Sequence, residues 1–172
     1  TETPFELVNP ESTPIELGIK FKANKEGVIK GIRFYKGGTA NGGTHTGSLW
    51  TGTGTLLATA TFTGESASGW QEVLFSTPVS VSANTIYVAS YFAPLGNYSR
   101  TVDYFHDPKS NGISLTATAW SESEHNGVYK YSSTSTFPTD NFLNPTYWVD
   151  VVYAPYTTIP TTTTCTANGV VL

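Results

Sequence analysis

Charge is scarce in this chain. Asp, Glu, Lys and Arg make up 13% of its 172 residues and leave a net charge of −4 at pH 7. The few basic residues form no cluster, which argues against a nucleic-acid partner, because phosphate backbones demand a basic footprint. No apolar run reaches the roughly eighteen residues that a membrane-spanning helix needs. No basic-plus-apolar leader opens the chain and methionine is absent altogether. The expectation is therefore a piece of a longer, secreted precursor. The single cysteine, Cys165, has no partner for an internal disulfide. Pairing with a downstream segment and a stray thiol both stay open.

Catalytic signatures are missing as well. There is no Gly-x-Ser-x-Gly elbow, no phosphate-cradling glycine loop and no His-Glu-x-x-His zinc pattern, and His45, His106 and His125 are widely separated. A glycoside hydrolase needs two carboxyls across a cleft. Asp103, Asp107, Glu122 and Glu124 supply carboxyls, but acidic residues in polar loops are normally solvated or cap turns. The expectation is a protein without catalytic activity.

Gly, Thr, Ser and Tyr are abundant, a composition that suits an extracellular all-β module. Period-two alternation recurs along the chain. In "IELGIKF", Ile15, Leu17, Ile19 and Phe21 face one way and Glu16, Gly18 and Lys20 the other. In "VIKGIRFY" the apolar set is Val28, Ile32 and Phe34, with Arg33 and Tyr35 opposite. Similar runs follow at "LLATATF", "WQEVLF", "TIYVASYF" and "YWVDVVY", separated by Gly, Asn, Pro and Ser clusters. This pattern predicts an antiparallel β-sandwich of jelly-roll type over residues 1–156. Residues 157–172, with "TTIPTTTTCT", read as a Thr/Pro-rich linker or the start of a further module. Low charge and a sandwich fit a monomer tethered to flanking domains.

Between about Ala93 and Pro145 the rhythm breaks. The segment is long and polar yet holds Tyr98, Tyr104, Phe105, Trp120, Tyr129 and Tyr131. Disordered segments are poor in aromatics, so ordered loops are expected. Sugars present flat C–H faces beside hydroxyls, and their sites combine aromatic platforms with a few fixed polar groups. Trp120, Tyr98 and Tyr104 supply rings here, while Arg100, Asp103 and His106 supply hydrogen bonds. The competing reading is that these rings cap the sandwich ends under long loops. For Trp70 and Trp148, bracketed by core strands, burial is the favoured reading.

Asp150 interrupts the apolar run "YWVDVVY", and Glu16 opens the early strand. First and last strands of a jelly roll often run side by side, and two close carboxylates repel unless a cation lies between them. A structural calcium would answer that, with Asn41 and Thr44 of "GGTANGGTHTG" adding oxygen ligands. Alternatively, Asp150 points to solvent or pairs with Lys20 or Arg33.

In "GTHTGSLWTGTGTL", "TGTGT" predicts a turn between two strands. Leu49 and Trp50 must point to opposite faces, so only one enters the core unless a loop covers the other. His45 is expected to fix the glycine turn through a backbone hydrogen bond.

A set of ordered phrases carries a family likeness: "ELGIKF", "GIRFYKG", "GTHTGSLW", "GTLLATATFTGE", "SGWQEVLFSTPV", "YVASYFAPLGNYS", "NGVYKY", "FPT" and "YWVDVVY". From about Pro14 to Tyr153 the chain resembles a bacterial extracellular domain family of unknown function. Members of that family accompany immunoglobulin-like or fibronectin-like modules and, in some chains, polysaccharide-degrading enzymes. The resemblance implies a secreted β-sandwich module and no particular activity. Relatives often read Tyr-His-Ala-Pro where this chain has Tyr91, Phe92, Ala93 and Pro94. A ligand role resting on that histidine does not transfer. Together these features predict an accessory module that binds polysaccharide or glycan. The alternative is a structural spacer or adhesin unit.

Overall fold

Alternation in the sequence becomes two antiparallel sheets. The computed structural model describes residues 2–110, 114–117 and 125–156. The large sheet contains β1 (Ile15–Ala23), β3 (Thr46–Thr51), β4 (Leu56–Thr61), β6 (Ile86–Ala93), β9 (Val128–Tyr131) and β10 (Asp140–Asn141). Their order is β10-β9-β1-β6-β3-β4. Two short strands, β7 (Lys109–Ser110) and β8 (Leu115–Ala117), extend it, with β8 pairing to the far end of β1. The small sheet runs β11-β2-β5, from β11 (Val149–Pro155), β2 (Gly27–Lys36) and β5 (Gly69–Val81). The predicted antiparallel sandwich is therefore the fold, and no helix among the described residues is long and apolar enough to cross a membrane.

Facing rows of alternate residues make the core. Ile15, Leu17 and Phe21 of β1, Leu49 of β3, and Tyr87, Ala89 and Tyr91 of β6 meet Ile29, Ile32 and Phe34 of β2 and Val149 and Val151 of β11. Phe34 stacks on Tyr91 at 4.3 Å and meets the edge of Phe62 at 4.9 Å. Burial of these rings is the main force holding the layers together.

One detail of β2 departs from the expected face. Ile29, not Val28, joins Ile32 and Phe34 in the core, because the pairing of β2 with β11 passes over Lys30, with Ile29 opposite Tyr153 and Gly31 opposite Val152. A bulge at this point inserts one residue and reverses the alternation. Gly31 sits where a Cβ would lie 2.0 Å from the Val73 carbonyl oxygen, so only glycine fits.

The outer face of the large sheet is roofed by the strap 132–139. Trp50 turns outward, packs its ring against Phe137 at 5.7 Å, and donates from Nε1 to Ser90 Oγ at 2.8 Å. Leu49 occupies the core. The dilemma of the two neighbours is thus resolved by a covering loop. Pro138 in the same strap closes over Gly18. On one side of the sandwich β4 lies beside β5. On the other, β11 is the terminal strand of its sheet and leaves an opening toward β1 and β8.

Candidate functional site: a cleft along the free edge of β11

That opening is a cleft of about 510 Å³. Its apolar base comes from the inter-sheet core, including Ile19, Phe21, Val149 and Val151. Its rim is aromatic and charged, with Trp70, Trp148, Tyr104, Arg33, Asp150 and Lys109.

Each rim residue is placed by its element. Trp70 stands at the start of β5, cross-strand from Tyr35 of β2, and meets that ring edge-on at 5.7 Å. Trp148 immediately precedes β11 in the left-handed region, φ 54°. A bulky aromatic adopts that conformation only under constraint, at a cost of about 1–3 kcal/mol. The constraint is visible: Trp148 N–H donates to Thr146 Oγ1 at 3.1 Å, its Nε1 donates to Thr101 Oγ1 at 3.1 Å, and its carbonyl accepts from Tyr35 N–H at 2.9 Å. Tyr104 belongs to a single 3₁₀ turn, Tyr104–His106, entered through Asp103, which is also left-handed at φ 54°. Its hydroxyl donates to Glu2 Oε2 at 2.5 Å. Burial, together with that carboxylate, pushes the Tyr104 hydroxyl up to about 12.

The rings and cations form a row. Arg33 lies 5.0 Å from the Trp70 ring centroid, Trp70 and Trp148 are 6.3 Å apart, Trp148 and Tyr104 are 5.9 Å apart, and Lys109 Nζ is 4.8 Å from the Tyr104 ring. The ring planes are mutually tilted, by 56° and 53°. Arg33 Nη2 also pairs with Asp150 Oδ2, and Asp150 Oδ1 accepts from Val151 N–H at 2.8 Å. Both side chains of that pair are more than a third exposed, so it positions the groups more than it stabilises the fold. Arg33 Nε is buried without a hydrogen-bond partner among the described residues. Trp148 is buried, as its place beside a core strand predicts, whereas Trp70 and Tyr104 are half-exposed; these two rings beside fixed polar groups form a surface for a ligand with both C–H faces and oxygens.

The residues expected to bind sugar separate here. Tyr104 lies on the cleft. Tyr98 is a core ring, 4% exposed, edge-on to Tyr147 at 5.6 Å, with its hydroxyl donating to Glu11 Oε2. Its loop folds back under the N-terminal segment instead of presenting the ring to solvent. Arg100 is committed to Glu6 at 2.5 Å. Asp103 and His106 are exposed at the two ends of the 3₁₀ turn and do not line the cleft. Trp120, Glu122, Glu124 and Cys165 lie outside the described residues, as does the stretch 157–172.

The proposed calcium ligands do not converge. Glu16 and Asp150 sit in different sheets, and the neighbours of each point into the core, so both carboxylates face outward on opposite sides of the sandwich. Strand β11 pairs with β2 and not with β1, which removes the expected adjacency. Asp150 takes the Arg33 partnership instead. Glu16 is fully buried beneath the strap, accepting from Ser90 Oγ at 2.5 Å and from Thr136 N–H at 3.3 Å. Asn41 is buried and donates to the Gly96 carbonyl at 2.6 Å, while Thr44 is exposed. Among the described residues no three His, Cys, Asp or Glu side chains gather as metal ligands would.

A second polar cluster is structural in form. His45 is fully buried, and its Nδ1 lies 2.8 Å from Glu65 Oε1; Glu65 also pairs with Lys36 at 2.7 Å. The expected backbone bond from His45 is thus replaced by a carboxylate contact, which ties the loop between β4 and β5 to β2 and β3. Burial lowers the imidazole pKa below 6.5, against the pull of Glu65.

Trp70, Trp148, Arg33 and Lys109 were not singled out as ligand residues by sequence alone. The usable signals were Arg33 and Tyr35 facing away from the core row and Asp150 breaking an apolar strand.

A family model described as a domain of unknown function, DUF4082, matches residues 1–149. The chain belongs to the DUF4082 family. The match takes in every strand of the large sheet, together with β2 and β5, and ends at the first residue of β11. No match to the chain was found among curated proteins. For this DUF4082 domain the cleft rim, not a family description, is the guide to function.

Proposed function

We propose that this DUF4082 domain is a non-catalytic accessory module of a secreted multi-domain protein, and that it binds polysaccharide or glycan in the cleft beside β11. The observation that carries this reading is the pair of half-exposed rings Trp70 and Tyr104, packed on either side of the buried Trp148 and beside the Arg33–Asp150 pair. Rings of this kind gain by stacking on sugar C–H faces, and the ion pair offers donors and acceptors to hydroxyls. The strained Trp148 supports it too, since backbone strain concentrates where a side chain must be aimed. The tilt between rings favours a soluble chain entering a cleft over a flat crystalline surface. Individual affinity would be modest, with the benefit coming from effective concentration beside flanking modules. Calcium has no part in this reading, because Glu16, Asp150, Asn41 and Thr44 do not meet.

The test is binding to a panel of soluble polysaccharides by wild type and Trp70→Ala, with thermal unfolding as the folding control. Trp70 is only half-buried, so its removal is expected to leave a folded domain. Loss of one stacking ring should weaken binding about tenfold. Binding that survives Trp70→Ala unchanged refutes the site. A panel without any binder favours the spacer or adhesin alternative.

A further inference from the structure

A cation stands on the ring at each end of the cleft rim. Its charged lining side chains are Arg33, Lys109 and Asp150. Asp150 is already neutralised by Arg33 and hydrogen-bonded to Val151 N–H. Lys109 is exposed, lies over the Tyr104 ring, and has no carboxylate within ion-pair reach among the described residues. Glu72, cross-strand from Arg33, lines a separate smaller hollow on the other side of Trp70. The row of rings therefore ends in a cation at each side, Arg33 at Trp70 and Lys109 at Tyr104, while the carboxylates of Glu2, on the Tyr104 hydroxyl, and Glu72 lie outside the cleft lining.

We infer that the ligand of this cleft is an anionic glycan, whose sugar faces lie on Trp70 and Tyr104, with Trp148 packed between them, and whose acidic groups are read by Lys109 and Arg33. This deepens the glycan-binding proposal and rests on it. The domain as a whole carries −4, so its overall field does not attract polyanions. Selection for an anion must come from the cleft's own cations at short range. Lysine over an aromatic face is held in place by the ring quadrupole while keeping N–H donors for a carboxylate or sulfate. A charge-assisted hydrogen bond of this kind is the strong one in a wet site. A neutral sugar gains from Lys109 only hydrogen bonds to hydroxyls, which replace those it made to water.

The experiment uses the whole chain and two matched pairs of probes: oligogalacturonate against its methyl ester, and dextran sulfate against dextran. Titration calorimetry is run at low and at moderate salt on wild type, Lys109→Gln, Lys109→Arg and Trp70→Ala. The expected result is that at least one anionic probe binds about tenfold tighter than its neutral partner. The preference should fall on adding salt, vanish in Lys109→Gln and return in Lys109→Arg. Which pair shows it distinguishes carboxylate from sulfate. A neutral probe that binds as well as its anionic partner, and is lost in Trp70→Ala, overturns the charge assignment while leaving glycan binding intact. An anionic preference indifferent to Lys109→Gln also overturns it. Absence of binding by all four probes overturns both proposals.

Discussion

Replacing Glu16 with Gln should stabilise this domain in mild alkali and not in acid. Glu16 is fully buried between β6 and the strap 132–139. Burial raises its pKa from 4.5 to about 7, against the hydrogen bonds from Ser90, Ser135 and Thr136 that favour the ionised form. A folded pKa above the unfolded one means that the folded state holds the proton more tightly. The stabilisation from that proton is full below about pH 4.5 and is lost as pH rises through about 7. The full difference corresponds to about 3 kcal/mol. Gln removes the ionisation but keeps only one acceptor for the two donors Ser90 Oγ–H and Thr136 N–H, at a cost of about 1 kcal/mol. At pH 8.5 the variant should therefore gain about 2 kcal/mol, or roughly 4–8 °C in midpoint for a domain of this size. At pH 4.5 it should unfold at a slightly lower temperature than wild type. The assay is a set of thermal melts of both proteins from pH 4.5 to 8.5, compared as differences so that other titrating groups cancel. A difference that stays constant with pH, or an advantage for the variant only in acid, refutes the buried-carboxyl account.

Two further outcomes follow from packing. Glu65→Gln removes the carboxylate shared by His45 and Lys36, both largely buried, and should cost about 3 kcal/mol in denaturant unfolding; a loss under 1 kcal/mol would mean that Lys36 reaches water. Gly31→Ala places a methyl 2.0 Å from the Val73 carbonyl and should cost about 3 kcal/mol or abolish folding; a neutral effect would exclude the bulge in β2.

Much of the fold was legible because alternation is a local property. Ile15, Leu17 and Phe21 point inward and Glu16 outward for a reason contained in seven consecutive residues. The same rule showed that Leu49 and Trp50 must part, and that one of them needs a cover. It misplaced Val28 because a bulge at Lys30 shifts the alternation by one residue, and it shows only in the pairing with β11 at Val152 and Tyr153. Local composition also misled at Tyr98. A polar loop can still bury one ring if another segment folds over it, and here residues 5–11 do so.

The site was less legible than the fold. Sequence by itself determined the longer strands but not the short β7 to β10, together with the sandwich class, the outward faces of Arg33 and Tyr35, and the anomaly of a carboxylate at Asp150. Only tertiary structure decided that Asp150 meets Arg33, 117 positions away, and not Glu16. It likewise decided that Trp70, Trp148, Tyr104 and Lys109 stand in one row. The physical reason is strand order. Which face a side chain takes follows from its own neighbours in sequence, but which groups share a cleft depends on which strands pair and where a sheet ends, and no short window of sequence contains that.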